Sequence, residues 1–245
     1  MKLSDLVKHV SYSSLSKAST CMAAWTLQYA HKHREGTNAA MARGHAVEHG
    51  LKYFHNGSEF DDPAEEAIKE FNKLTAFGVE GSAREREAGN VPKMVANYPL
   101  LWEGKLPQIE SYQNKIELEI DGIDVPLIGF TDFEFDDRVI DIKTTTRLPS
   151  QISASHRMQG AVYQKASGNR AVEFIYLTPT KSARYVLEDS EADWTKVCQI
   201  ANRLQKFLRA FESVEELTAA VMPNYESFYW NNPETRSKGR ELFGF

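Results

Sequence analysis

The chain has 245 residues, a formal net charge of −5 and a hydrophobic content of 42%. This length suits one sizeable domain with a buried core, and the acidic balance excludes a generally basic coat for nucleic acid while leaving a local basic channel open. Two cysteines exclude a disulfide framework, and no stretch has the length and apolarity of a membrane span. We therefore expect a soluble, cytoplasmic protein that does not act on a membrane.

The N-terminal segment, residues 11–35, is predicted to be a loop that enters a helix. Ser19 or Thr20 is placed to cap a helix from Cys21 to Ala30, and Trp25 supplies part of its apolar surface. Cys21 is interpreted as a small core residue.

A second helix is predicted over residues 38–55. Its apolar residues recur at helical spacing along one stripe, and they are Ala40, Gly44, Val47, Leu51 and Phe54. Glu48 lies at the edge of this stripe, whereas His45 and His49 lie progressively further toward solvent. A half-buried acid requires a partner, so Glu48 is the functional candidate here, and the histidines are interpreted as surface residues.

Residues 61–106 are predicted to form a helical insertion. Asp62-Pro63 is typical of a helix start, and an apolar stripe runs from Ala64 to Leu74. Ser82 and Glu85 have the spacing of a capping box for a shorter, charged helix. The segment could serve as a lid over a site, and no residue pattern decides this.

The stretch from Gly129 to Lys143 contains the strongest functional pattern. Aromatic and β-branched residues on both sides of Asp136-Asp137 predict a β-hairpin. A two-residue turn there puts Asp132 directly opposite Asp141, where Cβ atoms are about 4.5–5.5 Å apart and like charges repel. Two carboxylates this close suggest a bound cation, and oxygen ligands suit Mg²⁺ or Mn²⁺. Lys143 points to the same face as Asp141, which completes the groups needed to hydrolyse a phosphodiester.

A bare acid-x-Lys triplet is a weak signal, because such triplets arise by chance in a chain of this composition. A second triplet, Glu103-Gly104-Lys105, has no strand pattern around it and is discarded. The alternative interpretation of the first triplet is a surface hairpin with solvated charges.

The segment after Pro149 predicts a helix that ends near Ser167. His156, Gln159 and Tyr163 share one face of this helix. The alternative interpretation is a polar helix face with a half-buried tyrosine.

The C-terminal part predicts two strands and further helices. Residues 171–178 predict a buried strand, which should lie parallel to residues 139–144 because strand–helix–strand crossovers are right-handed. Residues 183–187 predict a short strand, and Ser190 is placed to cap a long helix. The tail, residues 223–245, mixes aromatic and basic side chains that could stack on bases or pack onto the core.

Three motifs together resemble a known family. They are Gly129-Phe-Thr-Asp132, Asp141-Ile-Lys143-Thr144 and Gln159-Gly-Ala-Val-Tyr163, in this order along the chain. With the Cys-x-x-x-Trp-x-x-x-Tyr run that begins at Cys21, they resemble the PD-(D/E)XK nuclease superfamily, especially the RecB-type nuclease domain and its phage-encoded exonuclease relatives. The likeness extends from about residue 11 to about residue 187.

This resemblance implies an α/β fold with a restriction-endonuclease-like core, in which helices flank a mixed central sheet, in one domain over residues 1–245. It implies that Asp132 and Asp141 bind a catalytic Mg²⁺ or Mn²⁺ together with the main-chain carbonyl of Ile142. Some relatives carry an iron–sulfur cluster, which needs four thiolates, so two cysteines exclude a cluster here.

The resemblance also implies a metal-binding His or Glu on the helix that follows a glycine. The spacing from Gly44 matches Glu48, and it does not match His45 or His49.

The other implied roles concern the phosphate and the DNA. Lys143 would orient the attacking water and offset charge on the phosphate. Gln159 and Tyr163 match the Gln-x-x-x-Tyr element that lies beside DNA in the family. Further candidate DNA contacts are His156, Arg147, Arg157 and Lys181.

The predicted function is metal-dependent hydrolysis of DNA, with an exonuclease favoured. Such an enzyme would act in DNA recombination, repair or phage DNA processing inside a bacterial or phage-infected cell, with DNA and a recombination or replication protein as candidate partners. Two alternatives stay open, a structure- or site-specific endonuclease on the same fold and a non-catalytic DNA-binding subunit. The intact set of Glu48, Asp132, Asp141 and Lys143 argues against the second.

Overall fold

The computed structural model describes residues 1–57, 61–103 and 106–244. The chain divides into two compact units. The first unit comprises Met1–Glu35, Lys115–Gly129 and Ser190–Phe245, and the second comprises Gly36–Asn114 and Phe130–Asp189. That residues 1–245 act as one functional domain stays a prediction. The discarded triplet at residues 103–105 falls largely outside the described residues.

A five-stranded mixed sheet has the strand order β1-β2-β3-β4-β5. Its strands are β1 (Ser111–Leu118), β2 (Leu127–Glu134), β3 (Arg138–Thr144), β4 (Ala171–Leu177) and β5 (Ser182–Val186). β2 and β3 are antiparallel, β3 and β4 are parallel, and β4 and β5 are antiparallel. The predicted parallel pairing across the crossover is therefore confirmed.

The α-helices, in chain order, are α1 (Leu3–Leu6), α2 (Tyr12–Thr20), α3 (Met22–Trp25), α4 (Ala39–Asn56), α5 (Pro63–Leu74), α6 (Ser82–Asn97), α7 (Ala154–Ala166), α8 (Glu191–Leu208), α9 (Val214–Ala220) and α10 (Pro233–Phe243). A π-helical turn covers Thr26–Ala30, and 3₁₀ turns cover Pro99–Leu101 and Phe228–Trp230. Helices that accompany a mixed sheet confirm the predicted α/β class. Within the described ranges, every helix is too short or too polar to cross a lipid bilayer.

The start of the N-terminal helical segment differs from the prediction. α2 begins at Tyr12, because the Ser11 hydroxyl accepts the Ser14 N–H at 3.1 Å and caps the helix. Ser19 and Thr20, predicted as caps, instead donate their hydroxyls to the Ser16 carbonyl within α2. The serines and threonines thus satisfy their hydrogen bonds inside a helix that their composition disfavours. Cys21 is buried, as its interpretation as a core residue requires.

The core of the second unit forms between α4, α5, α6 and the sheet. Its buried members include Val47, Leu51, Phe71, Met94, Phe133 and Ile140. Gly50 allows α4 to approach α5 closely, since a Cβ atom there would lie 2.5 Å from the Pro63 carbonyl oxygen. Ala40 is exposed and Ala42 is buried, so the buried face of α4 is rotated from the predicted stripe. Glu48 is half-buried and lies outside this face, and it contacts Gln113 of β1.

Candidate active site

The β2–β3 hairpin brings two aspartates together in the predicted register. Phe133 pairs with Ile140 and Glu134 pairs with Val139, and this register places Asp132 opposite Asp141. Asp141 is 1% exposed. Asp132 accepts the Ile142 N–H through Oδ2 at 2.7 Å, a bond that spans the two strands and orients the carboxylate.

Lys143 lies beside the aspartates. Its Nζ is 2.5 Å from Asp141 Oδ2 and 6.0 Å from the centre of the Phe174 ring. Burial opposes the charge of the ammonium, but Asp141, Asp132 and Glu48 outweigh this effect and raise the pKa of Lys143. The lysine is therefore fully charged at neutral pH.

Glu48 reaches the same place from α4. Its Oε1 accepts a hydrogen bond from the Gln113 side-chain amide. Burial raises the pKa of Glu48, and Asp141 adds to this by repulsion, while Gln113 and His45 oppose it. His45 is exposed. His49 packs edge-on against the Tyr53 ring.

The three acids repel one another; Asp141 is buried, and Asp132 and Glu48 are half-buried. Burial, followed by repulsion from Asp141 and Glu48, raises the pKa of Asp132 well above its ordinary value. The nearby Lys143 ammonium and the Ile142 N–H oppose this shift without cancelling it. The cluster therefore has a surplus of negative charge that a cation would relieve.

The donor set fits a hard divalent cation in its chemistry. The groups are carboxylate oxygens, which suit Mg²⁺ or Mn²⁺. Asp141 Oδ2 is buried, and although the Lys143 ammonium lies 2.5 Å away, no described residue donates a hydrogen bond to this oxygen with the required geometry. In the described ranges, however, no three His, Cys, Asp or Glu side chains already form a metal-binding group. Lys143 and Gln113 contact Asp141 and Glu48 respectively, so binding an ion requires these contacts to adjust.

The α7 face predicted to contact DNA borders the acids. Gln159 Nε2 donates to Tyr163 Oη at 2.8 Å. Burial, Asp141 and Asp132 raise the pKa of Tyr163, and a hydrogen bond to Asp141 adds to the shift. The Tyr163 hydroxyl is therefore neutral and joins Gln159 to Asp141.

His156 lies on the same face of α7. Its Nδ1 is 2.6 Å from Tyr176 Oη, and its ring stacks on Phe174. Burial and the neighbouring Lys143 lower the pKa of His156 to about 4, so the imidazole is neutral at physiological pH.

The three predicted basic DNA contacts are not part of this cluster. Arg157 Nη2 donates to the carbonyls of Glu188 and Asp189, both at 2.8 Å. Arg147 and Lys181 are exposed. Their contacts with DNA stay predictions.

Arg43 was missed at the sequence level. It forms a buried ion pair with Glu87 at 2.7 Å, and its Nη2 donates to the carbonyl of Thr144, the residue after Lys143. Arg43 lies on the buried face of α4, where a charge needs a partner, but the predicted apolar stripe did not include it.

Tyr112 and Gln113 were also missed at the sequence level. Gln113 contacts Glu48, and the Tyr112 hydroxyl is hydrogen-bonded to the same acid. A hydrogen-bonded neighbour of this kind leaves no pattern in the sequence.

A family model for the PD-(D/E)XK nuclease superfamily matches residues 9–233. The chain belongs to this superfamily. The match includes every acid and lysine of the cluster, and the predicted resemblance and the coarse prediction of a hydrolytic nuclease are thereby supported. None of the curated proteins matches the sequence.

One solved structure supports the fold of this PD-(D/E)XK chain. A protein of Eubacterium rectale named "Putative exonuclease" is 12% identical and superposes with a TM-score of 0.57 over 92% of this chain and 88% of its own. The protein SSO0001 is 14% identical, with a TM-score of 0.39 over 91% of this chain and 95% of its own, a similarity too low to support an argument. At these identities only the fold is shared.

Proposed function

We propose that this chain is a Mg²⁺- or Mn²⁺-dependent deoxyribonuclease that removes nucleotides from DNA ends. The observation that carries the proposal is the convergence of Asp132, Asp141 and Glu48 on the Lys143 ammonium, with Asp141 buried and 2.5 Å from that ammonium. Such a surplus of buried carboxylate is costly unless a cation is bound. Membership of a nuclease superfamily supports this interpretation.

Asp132, Asp141 and Glu48, with the carbonyl of Ile142, would hold the ion. When bound, a divalent ion polarises a phosphate and lowers the pKa of water. The main-chain N–H of Ile142 keeps Asp132 oriented for this role.

Lys143 supplies a fixed positive charge beside Asp141. Because the acids hold it protonated, it stabilises charge that develops on the scissile phosphate and helps to align the nucleophile. Its acidic neighbours and the Phe174 ring hold the ammonium in place before substrate arrives.

The α7 face is proposed to position the substrate. Tyr163 is linked to Asp141 on one side and to Gln159 on the other. The neutral His156 next to them can donate or accept a hydrogen bond without adding charge.

Attack at DNA ends is favoured by the resemblance to RecB-type and phage exonucleases and by the name of the Eubacterium rectale protein. A role in recombination, repair or phage DNA processing, with a DNA-metabolic partner protein, belongs to the same proposal. The rival is an endonuclease on the same core.

End-labelled single- and double-stranded DNA, incubated with Mg²⁺ or Mn²⁺ beside a covalently closed circle, tests the proposal. We expect mononucleotides or short oligonucleotides from the linear DNA and no cutting of the circle, and Asp141→Asn should be inactive. Cutting of the circle would replace the exonuclease by an endonuclease. Absence of cleavage of every substrate, with DNA binding intact, would favour a non-catalytic DNA-binding subunit.

A further inference from the structure

The backbone of β1 is irregular beside Glu48. Gln113 has a φ of 55°, a left-handed conformation that is uncommon for residues other than glycine, asparagine and aspartate. Such outliers persist where surrounding structure enforces them, and they concentrate at functional sites.

The irregularity changes where two adjacent side chains point. Neighbouring residues of a regular strand point to opposite faces, yet Tyr112 and Gln113 both reach Glu48. The Gln113 amide donates to Glu48 Oε1, and the Tyr112 hydroxyl is hydrogen-bonded to Glu48 as well.

The Tyr112 side chain is itself anchored. Its ring packs against Phe133 with a centroid distance of 5.4 Å, and Phe133 is fully buried next to Asp132. The Lys52 ammonium lies 5.8 Å from the Tyr112 ring centre. The hydroxyl is thus held in place from the core side of the sheet.

We propose that Tyr112 and Gln113 are positioning residues that orient the Glu48 carboxylate and thereby set the affinity of the acid cluster for its divalent cation. The inference rests on the proposed function, since it takes Glu48 as a ligand of that cation. Residues that hydrogen-bond to metal ligands fix ligand orientation, and losing one typically weakens metal binding. Glycine or asparagine would suit the left-handed backbone at position 113 better than glutamine does. The long side chain of Gln113, however, brings its amide to Glu48.

The test is calorimetric titration of Mn²⁺ into the full chain and its variants. Gln113→Asn and Gln113→Gly suit the left-handed backbone but do not reach Glu48, and Tyr112→Phe keeps the ring and removes the hydroxyl. We expect each variant to raise the Kd for Mn²⁺ by about tenfold or more. Lys115→Ala, further along β1, is the matched control and should bind like wild type.

Thermal melting separates positioning from a merely structural role. Gln113→Gly relieves the backbone strain, so its metal-free Tm should not fall although its Mn²⁺ affinity does. A lower Tm with unchanged Mn²⁺ affinity would overturn the inference.

The failure of the proposed function would have a different signature. If the wild type bound no Mn²⁺, both the proposed function and this inference would fall. If Glu48→Gln weakened binding while the Gln113 and Tyr112 variants bound like wild type, only this inference would be overturned.

Discussion

At the scale of single residues, the site combines groups that oppose stability with groups that serve chemistry. Asp132 and Asp141 face each other across the hairpin, and Glu48 adds the negative charge of a third carboxylate near them. Lys143 offsets part of this charge. Mutations here should therefore separate stability from activity, because the repulsion that destabilises the metal-free fold would be relieved by the cation of the proposed function.

Asp132→Asn should stabilise the metal-free protein at neutral pH. Because the pKa of Asp132 is raised in the folded state, its contribution to stability is present at low pH and lost as pH rises through the folded pKa. The asparagine removes that loss, and we expect a gain of about 1 kcal/mol, or about 2–4 °C in Tm. Melting curves at several pH values should show the gap closing toward acid. A variant that melts below wild type at pH 7 would contradict the charge repulsion.

Lys143→Ala should separate binding from cleavage. Removing one preorganised charge typically costs about 3–4 kcal/mol of barrier, roughly 10²–10³ in rate, whereas losing one phosphate contact among several lowers affinity far less. We expect near-normal DNA affinity in Ca²⁺ and a very slow single-turnover rate in Mg²⁺.

Lys143→Arg is the matched control for that experiment. Its planar guanidinium does not place the charge where an ammonium does, so rescue should be poor. Loss of binding in Lys143→Ala, together with a wild type that does not cleave, would instead favour a binding module.

At the scale of elements, α4 is the central support of the site. It packs against α5 through Gly50 and presents Glu48 to the hairpin. Its Arg43 pairs with Glu87 of α6 and with Thr144 at the end of β3. Because breaking a buried ion pair strands a charge, these contacts make α6, in the predicted insertion, a structural support for the strand that carries Lys143.

Substitutions along α4 should rank its three titratable candidates. Glu48→Ala should lose most nuclease activity, while His45→Ala and His49→Ala should retain it, because His45 is exposed and His49 packs on Tyr53. Rates under identical Mg²⁺ give the ranking. Inactivity of His49→Ala comparable to Asp141→Ala would mean that the functional face of α4 is rotated by about a third of a turn.

At the scale of the whole molecule, the proposed function requires an acidic protein to bind a polyanion. The net charge of −5 disfavours DNA at long range, so binding has to come from local cations and the proposed metal site. Arg157 already donates to two carbonyls, which leaves exposed side chains such as Arg147 as the simpler candidates for phosphate contact.

The salt dependence of DNA binding should show whether Arg147 contacts a phosphate. If Arg147 contacts one phosphate, Arg147→Gln should reduce the slope of log K against log salt by about 0.9 for duplex DNA and weaken binding equally for all sequences. Fluorescence anisotropy in Ca²⁺ over a series of salt concentrations measures the slope. An unchanged slope would remove Arg147 from the interface.

The amino-acid sequence by itself determined the parts of the protein that depend on local patterns. Strand alternation and the Asp136-Asp137 turn set the hairpin register, because a two-residue turn leaves little freedom in pairing. The crossover rule predicted the parallel β3–β4 pair, and α7, which Ser153 caps, lies in the segment predicted to be helical. The helix α2 was not predicted, because serine disfavours helices. The hydroxyls of Ser19 and Thr20 find their acceptors only once the helix has formed.

Tertiary structure alone decided what surrounds each catalytic candidate. The pairing of Arg43 with Glu87 joins residues 44 positions apart, and Gln113 reaches Glu48 across 65 positions through a left-handed backbone turn. Helical periodicity placed Glu48 at the edge of a stripe, but only packing against the sheet brought it to the aspartates. Long-range contacts of this kind follow from how the elements pack, and no local period of the sequence encodes them.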